Sequence, residues 1–219
     1  MVTAMWWVLR TGAAWRDVPR EFGPWSSVYT RWRRWSRAGL WRRVVRRLRR
    51  LAVGRLWLAD GSHIKVHQHG ANPTGGQAAQ AIGRTKGGLN SKLTVLADTH
   101  GRIVDFTLAA GPRNEQYTVL PLLPAARGRW LVADRGFDSN VFRQRLQQHR
   151  IRPCIPPLPT RKHALPYHRG FYRHRRKVEN AFCRLKRFRR LATRYEKLAL
   201  SFDSLLCFAI ALDWLTYEV

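Results

Sequence analysis

The stretch Tyr172–Arg190, YRHRRKVENAFCRLKRFRR, holds one acid, Glu179, among nine arginines and lysines. Read as one helix, it places Tyr172, Arg175, Glu179 and Lys186 along a single stripe. Steps of three, four and seven residues are whole turns of a 3.6-residue period. A helix built only for solubility mixes acids with bases on its wet face. A lone carboxylate in a cationic field reads either as the ion-pair partner of Arg175 or Arg176, or as a functional acid. The spacing leaves both readings open, and the rest of the chain has to decide.

Working outward, two further acids share a placement. LWLADGS sets Asp60, and LVADRGF sets Asp134, immediately after an apolar run and before a glycine-containing turn. An apolar run of this kind is what a strand buried on both faces requires. Its last residue stands at the sheet rim, where side chains of neighbouring strands converge. Each Asp taken alone is more simply a turn-former. Both together, with an isolated Glu in a strongly basic chain, favour a carboxylate cluster. Three oxygen donors without a His or Cys requirement suit Mg²⁺ or Mn²⁺. A pair of such ions activates an attacking hydroxyl and steadies the leaving oxygen in phosphodiester displacement.

Between these motifs the pattern predicts an α/β layered domain. Residues 56–59 run into Asp60, and residues 63–67 alternate as a second strand. Residues 70–88 read as a mobile loop. Residues 92–97 and 102–108 flank Asp98-Thr99-His100-Gly101 as a hairpin. Residues 130–133 form a buried strand, 138–150 a helix, 151–155 a short strand and 159–169 a basic connector. The Glu179 helix follows, and an amphipathic helix over 198–215 closes the chain. Asp203 and Asp213 interrupt that last segment, so it reads as a core helix and no membrane partner is expected.

Residues 1–53 read as a separate helical region, with residues 54–219 as the α/β domain. Eight of the ten tryptophans fall by position 57, and Arg31–Arg50 carries ten arginines and no acid. Tryptophan can pack inside such helices while arginines such as Arg33 and Arg34 face phosphate. The 219-residue chain has 41 Lys plus Arg against 13 Asp plus Glu, a formal net charge of +28. A polyanion is therefore the expected partner. Three widely spaced cysteines without a CxxC pair fit a reducing compartment. Cys183 reads as buried packing. GRTKGGLN lacks the P-loop spacing, so Arg84 and Lys86 read as DNA-backbone contacts.

Tyr172, Arg175, Glu179 and Lys186 match, without a gap, the Tyr-x2-Arg-x3-Glu-x6-Lys signature of one branch of the DDE transposases of bacterial insertion sequences. LADGSHIKVH resembles that family's first-Asp strand, and LVADRGFDS resembles its second. LRTGAAWRDVPREFGPWSSVYTRWRRWSRAGLW resembles its N-terminal helical region, so the resemblance covers nearly the whole chain. It implies an RNase H-like mixed sheet with flanking helices, preceded by the Arg/Trp-rich helices. It also implies Mg²⁺- or Mn²⁺-dependent cleavage and joining of double-stranded DNA at transposon ends and target. Asp60, Asp134 and Glu179 would be catalytic and metal-holding. Tyr172, Arg175 and Lys186 would contact DNA. A homodimer on DNA and a bacterial cytoplasmic, nucleoid-associated location follow from the same resemblance, as does an N-terminus shortened by several dozen residues. The competing readings are a basic DNA binder without catalysis, an inactive remnant, and a nuclease that hydrolyses without joining strands.

Overall fold

In the computed structural model, which describes residues 1–126, 129–163 and 165–216, a seven-stranded mixed sheet carries the chain. Three helices come first: α1 (Val2–Thr11), α2 (Trp25–Arg37) and α3 (Leu40–Leu48). The sheet opens with β1 (Leu56–Val66), β2 (Gly83–Thr85), β3 (Gly88–Ala97) and β4 (Ile103–Ala110). After the short α4 (Glu115–Thr118) come β5 (Trp130–Val132), α5 (Asn140–Gln148) and β6 (Arg152–Cys154). The chain ends in α6 (Arg169–Tyr172), α7 (Arg176–Lys186), α8 (Arg189–Ala192), β7 (Thr193–Arg194) and α9 (Ala199–Thr216).

Leu56-Trp57-Leu58-Ala59 is apolar at every position because both faces of β1 are covered. Leu58 and Ile64 face one core, with Val178, Leu185 and α9, while Trp57 and Ala59 face another, with Val119, Phe137 and Leu146. β4, β3 and β1 pair antiparallel, and β5 and β6 run parallel to β1. The path β4-β3-β1-β5-β6 is the RNase H-like order that the resemblance implied.

The N-terminal helices bury their apolar stripes in the first of these cores. Val28 and Trp32 of α2 and Trp41 and Val45 of α3 lie one turn apart, and the ring of Trp41 meets Phe208 of α9 at 4.4 Å. Arg42 anchors the layer from the polar side. Its guanidinium bonds Asp203 and Asp105, the latter at 3.3 Å, and lies 4.1 Å over the Phe106 ring. α9 is long and apolar enough to cross a membrane, yet 61% of it is buried among these elements.

Several local expectations change, and the closing helix α9, expected as amphipathic, is buried on every face from Ser204 to Ala211. Residues 56–66 are one strand and not two, since Gly61 continues the ladder opposite Thr94. The stretch 70–88, expected as loop, contains β2, which pairs with the start of β3. The helix carrying Glu179 is interrupted by a 3₁₀ turn over Arg173–Arg175 between α6 and α7. Cys183 is exposed, not buried. In the basic connector, residue 164 lies outside the described residues.

The hairpin turn fixes where α7 sits. Asp98 is fully buried and accepts hydrogen bonds from the backbone N–H groups of His100 and Arg102, each at 3.0 Å, and from the Arg102 guanidinium. Gly101 closes the turn at φ +82, and a Cβ there would come within 2.8 Å of the Lys177 carbonyl. Lys177 Nζ donates to the Thr99 carbonyl at 3.0 Å, and Arg184 donates to the Gly101 carbonyl at 2.7 Å. α7 is thus locked onto the tip of the β3–β4 hairpin, with Glu179 in its first turn.

Candidate carboxylate site

Side chains alternate across a strand, so Asp60 and Ser62 share the face of β1 that carries Leu58 and Ile64. The parallel register pairs Leu58 with Val132. The paired register ends there, and Asp134 follows two residues later, near enough to Asp60 to act on its carboxyl electrostatically. β5 ends at Val132, whereas β1 runs on to Lys65, where β7 takes up the same side. The acids therefore stand where β1 loses one parallel neighbour before gaining the next. Such a break in a sheet edge leaves a crevice that side chains can line.

The site's electrostatics are under tension. Burial pushes the Asp60 carboxyl up to about 6; the Gly61 N–H and Arg175 oppose the rise, while Glu115 and Asp134 add to it. The Gly61 N–H donates to Asp60 Oδ1 at 2.8 Å. Asp134 Oδ1 is buried with no hydrogen-bond partner among the described residues. An orphaned buried carboxylate oxygen is costly unless a cation meets it.

Arg175 is the cation that does arrive. It bonds Glu179 and stands 3.6 Å from Asp60 Oδ2, bridging α7 and β1. Glu179 keeps 47% of its side chain exposed. Lys186, two turns further along α7, donates to Ser62 Oγ at 2.7 Å. The stripe expected from the spacing thus faces β1, with Arg175 over Asp60 and Lys186 over Ser62. Tyr172 is half-buried, edge-on to Tyr167 at 5.5 Å.

Not every expected residue converges. Arg84 lies on β2, and Lys86 lies in the turn after it; β2 pairs with Asn90, which faces Lys65. Asn90 is five residues along β3 from Val95, the partner of Asp60, or about 17 Å at roughly 3.3 Å per residue. Arg33 and Arg34 are exposed on α2. Sequence reasoning missed Ser62, although its alternation with Asp60 marks it as sharing that face. Lys92 was also missed; its Nζ stands 3.3 Å from Glu115 Oε1. That pair lies on the opposite face, where the Glu115 carboxyl fills the space a Cβ on Gly61 would take.

The oxygen-only donor set suits a hard cation, and the orphaned Asp134 oxygen and the protonation-prone Asp60 are what such an ion would relieve. Among the described residues, however, no three His, Cys, Asp or Glu side chains are arranged to hold a metal ion. Arg175 stands between two of the three acids, bonding Glu179 and lying 3.6 Å from Asp60.

With this geometry in place, comparison identifies the class. The pattern of the family described as "Transposase DDE domain" matches residues 52–214, and that of the family described as "Putative transposase of IS4/5 family" matches residues 1–45. The chain belongs to the DDE transposase family. It is 30% identical over 121 residues to the "Putative transposase for insertion sequence element IS402" of Burkholderia cepacia, covering 50% of this chain and 55% of that protein. It is 32% identical over 68 residues to the uncharacterized protein y4sN of Sinorhizobium fredii, covering 31% of this chain and 54% of that protein. The chain thus spans about half the length of these curated relatives. Among solved structures, the Mos1 transposase paired-end complex with left transposon end aligns over 97% of this chain and 76% of its own, at 13% identity and a TM-score of 0.32. The Mos1 strand transfer complex aligns over 100% and 78%, at 14% identity and a TM-score of 0.32. At these scores neither carries an argument about this chain.

Proposed function

We propose that this chain is the catalytic part of an insertion-sequence transposase, cleaving and joining double-stranded DNA with Mg²⁺ or Mn²⁺. What supports the reading is that Asp134 is near enough to raise the Asp60 pKa while Arg175 ties Asp60 to Glu179. A binder of polyanions gains nothing from acids in its phosphate site, where they repel the ligand unless a cation intervenes. Asp60, Asp134 and Glu179 would hold the metal, which when bound would activate the attacking hydroxyl and stabilise the leaving oxygen.

The chain's other residues do the positioning. Arg175 lies within reach of both acids and would pass to a DNA phosphate when the acids are otherwise neutralised. Lys186, anchored on Ser62, and Tyr172 would hold the strand beside the carboxylates, so that the scissile phosphate is presented in line. Arg84 and Lys86 on the β2 hairpin, and Arg33 and Arg34 on α2, would track the backbone farther out. On this reading residues 1–53 form a DNA-contacting helical region and residues 54–219 the catalytic domain, acting as a homodimer on transposon ends and target in the bacterial cytoplasm, at the nucleoid.

A second reading has one observation in its favour. The Arg175 clamp leaves no three-acid metal cluster among the described residues, as a DNA binder that has lost catalysis would also show. Supercoiled plasmid incubated with the protein and Mg²⁺ or Mn²⁺ separates the two. The transposase reading expects metal-dependent nicking that disappears in Asp134→Ala, whereas tight binding without nicking in the unaltered chain would establish the binder.

A further inference from the structure

A second cleft, of about 370 Å³, opens between the N-terminal helices and the α8–α9 segment. Trp15, Tyr29 and Trp32 belong to its aromatic lining, and Glu196, Lys197 and Ser201 to its polar lining. The Trp15 ring packs, tilted, 5.5 Å from Tyr29 and 5.6 Å from Trp32. Trp32 is buried, and Trp15 and Tyr29 are half-buried. The aromatic surface thus belongs partly to the core and partly to the cleft.

Glu196 makes this more than a surface dent. Its side chain is 7% exposed. Oε1 accepts from Arg190 Nε at 2.7 Å, while Oε2 is buried with no partner among the described residues. Arg190 is committed elsewhere, donating to the Gly12 and Ala13 carbonyls at 3.2 and 2.9 Å, which ties the cleft's floor to the end of α1. A buried carboxylate oxygen without a donor calls for one from a ligand or water, and the cleft's volume lies in the range of small-molecule sites.

The geometry points to a pocket for a single unpaired nucleotide whose base carries an exocyclic amino group. Three features select that class. The aromatic wall offers a stacking surface, which every base can use. Glu196 Oε2 accepts an N–H, as supplied by the cytosine N4 and adenine N6 amino groups, whereas the one N–H on the free edge of thymine lies between two carbonyl oxygens that repel a carboxylate. Lys197 supplies a cation at the rim for the phosphate. The cleft lies beyond the β7 end of β1, away from the carboxylates, and does not depend on their chemistry.

The test is calorimetric titration of the full chain in EDTA with dCMP, dAMP, dTMP and inorganic phosphate. A single-stranded pentanucleotide, with and without its central base, distinguishes a free nucleotide from a strand. The proposal expects dCMP and dAMP to bind more tightly than dTMP, and phosphate to give no heat at this site. Ser201→Leu places a bulkier side chain in the half-exposed lining and should weaken binding by about tenfold or more, the scale on which a stacked base contributes. Glu196→Gln should erase the preference of dCMP over dTMP, with folding checked by circular dichroism. If that variant fails to fold, Ser201→Leu carries the test. Equal heats from phosphate alone, no binding by the unaltered chain, or unchanged binding in folded Ser201→Leu would overturn the pocket. Loss of affinity on removing the central base would identify a strand as the source, and equal affinity would identify the free nucleotide.

Discussion

Replacing Asp60 by Asn should stabilise the metal-free protein at neutral pH while abolishing its chemistry. The magnitude follows from the buried carboxyl. Its pKa rises from an ordinary 3.8 to about 6 with 14% of the side chain exposed. At about 1.36 kcal/mol per unit, ionising Asp60 in the folded state costs about 3 kcal/mol more than in the unfolded chain. Because the folded value lies above the unfolded one, the folded state binds more protons between them and stability falls as pH rises through that window. Below about pH 4 both states are protonated and the cost vanishes. Urea unfolding of the wild type and Asp60→Asn in EDTA, at pH 4 and pH 8, measures it. The two should be nearly equal at pH 4, and the variant more stable at pH 8 by up to about 3 kcal/mol. Comparing them cancels the repulsion of the other charges, which both carry. A variant less stable than wild type at pH 8, or a difference that ignores pH, would refute the reasoning.

Other consequences follow from the same contacts. Asp138 is fully buried, accepts from Arg143 at 2.8 Å and Arg161 at 2.9 Å, and is held down to about 2 despite its burial. Its contribution is present above the ordinary carboxylate range and is lost as pH falls from about 4 to 2. Asp138→Ala should cost about 3–5 kcal/mol by leaving buried guanidinium unpaired, read as a lowered denaturation midpoint. Trp32, 2% exposed against Trp41 and Phe208, should cost about 3–5 kcal/mol as Trp32→Ala, with the whole domain unfolding cooperatively. Lys186→Ala should weaken duplex binding at all sequences and reduce the slope of log affinity against log salt by about 1, as measured by fluorescence anisotropy.

Much of the site was legible because its constraints are local. The fully apolar LWLA and WLVA runs announce strands covered on both faces, but only Asp134 follows the end of its strand, whereas Asp60 lies inside β1 opposite Val95. The 3, 4 and 7 spacing of Tyr172, Arg175, Glu179 and Lys186 names the helix face that meets β1. The hairpin was equally plain, since Asp98 and Gly101 supply the buried acceptor and the positive φ that the turn needs. What remained hidden depends on partners distant in sequence. Gly61-Ser62 reads as a turn, yet the glycine is there because Glu115 occupies its Cβ space. Nothing local shows that Arg42, one of ten arginines in its run, is tied to Asp105 and Asp203. Nor does spacing reveal that Arg175 sits between Asp60 and Glu179 and does not merely flank them.

On the proposed reading Asp60, Asp134 and Glu179 form one cation site, for which the Arg175 guanidinium competes. Calorimetric titration of Mn²⁺ into the unaltered chain, Glu179→Gln and Arg175→Ala tests it most directly. The expected results are saturable binding by the unaltered chain, loss of it in Glu179→Gln, and tighter binding in Arg175→Ala, where the competing guanidinium is gone. Binding unaffected by Glu179→Gln, or weakened by Arg175→Ala, would contradict it.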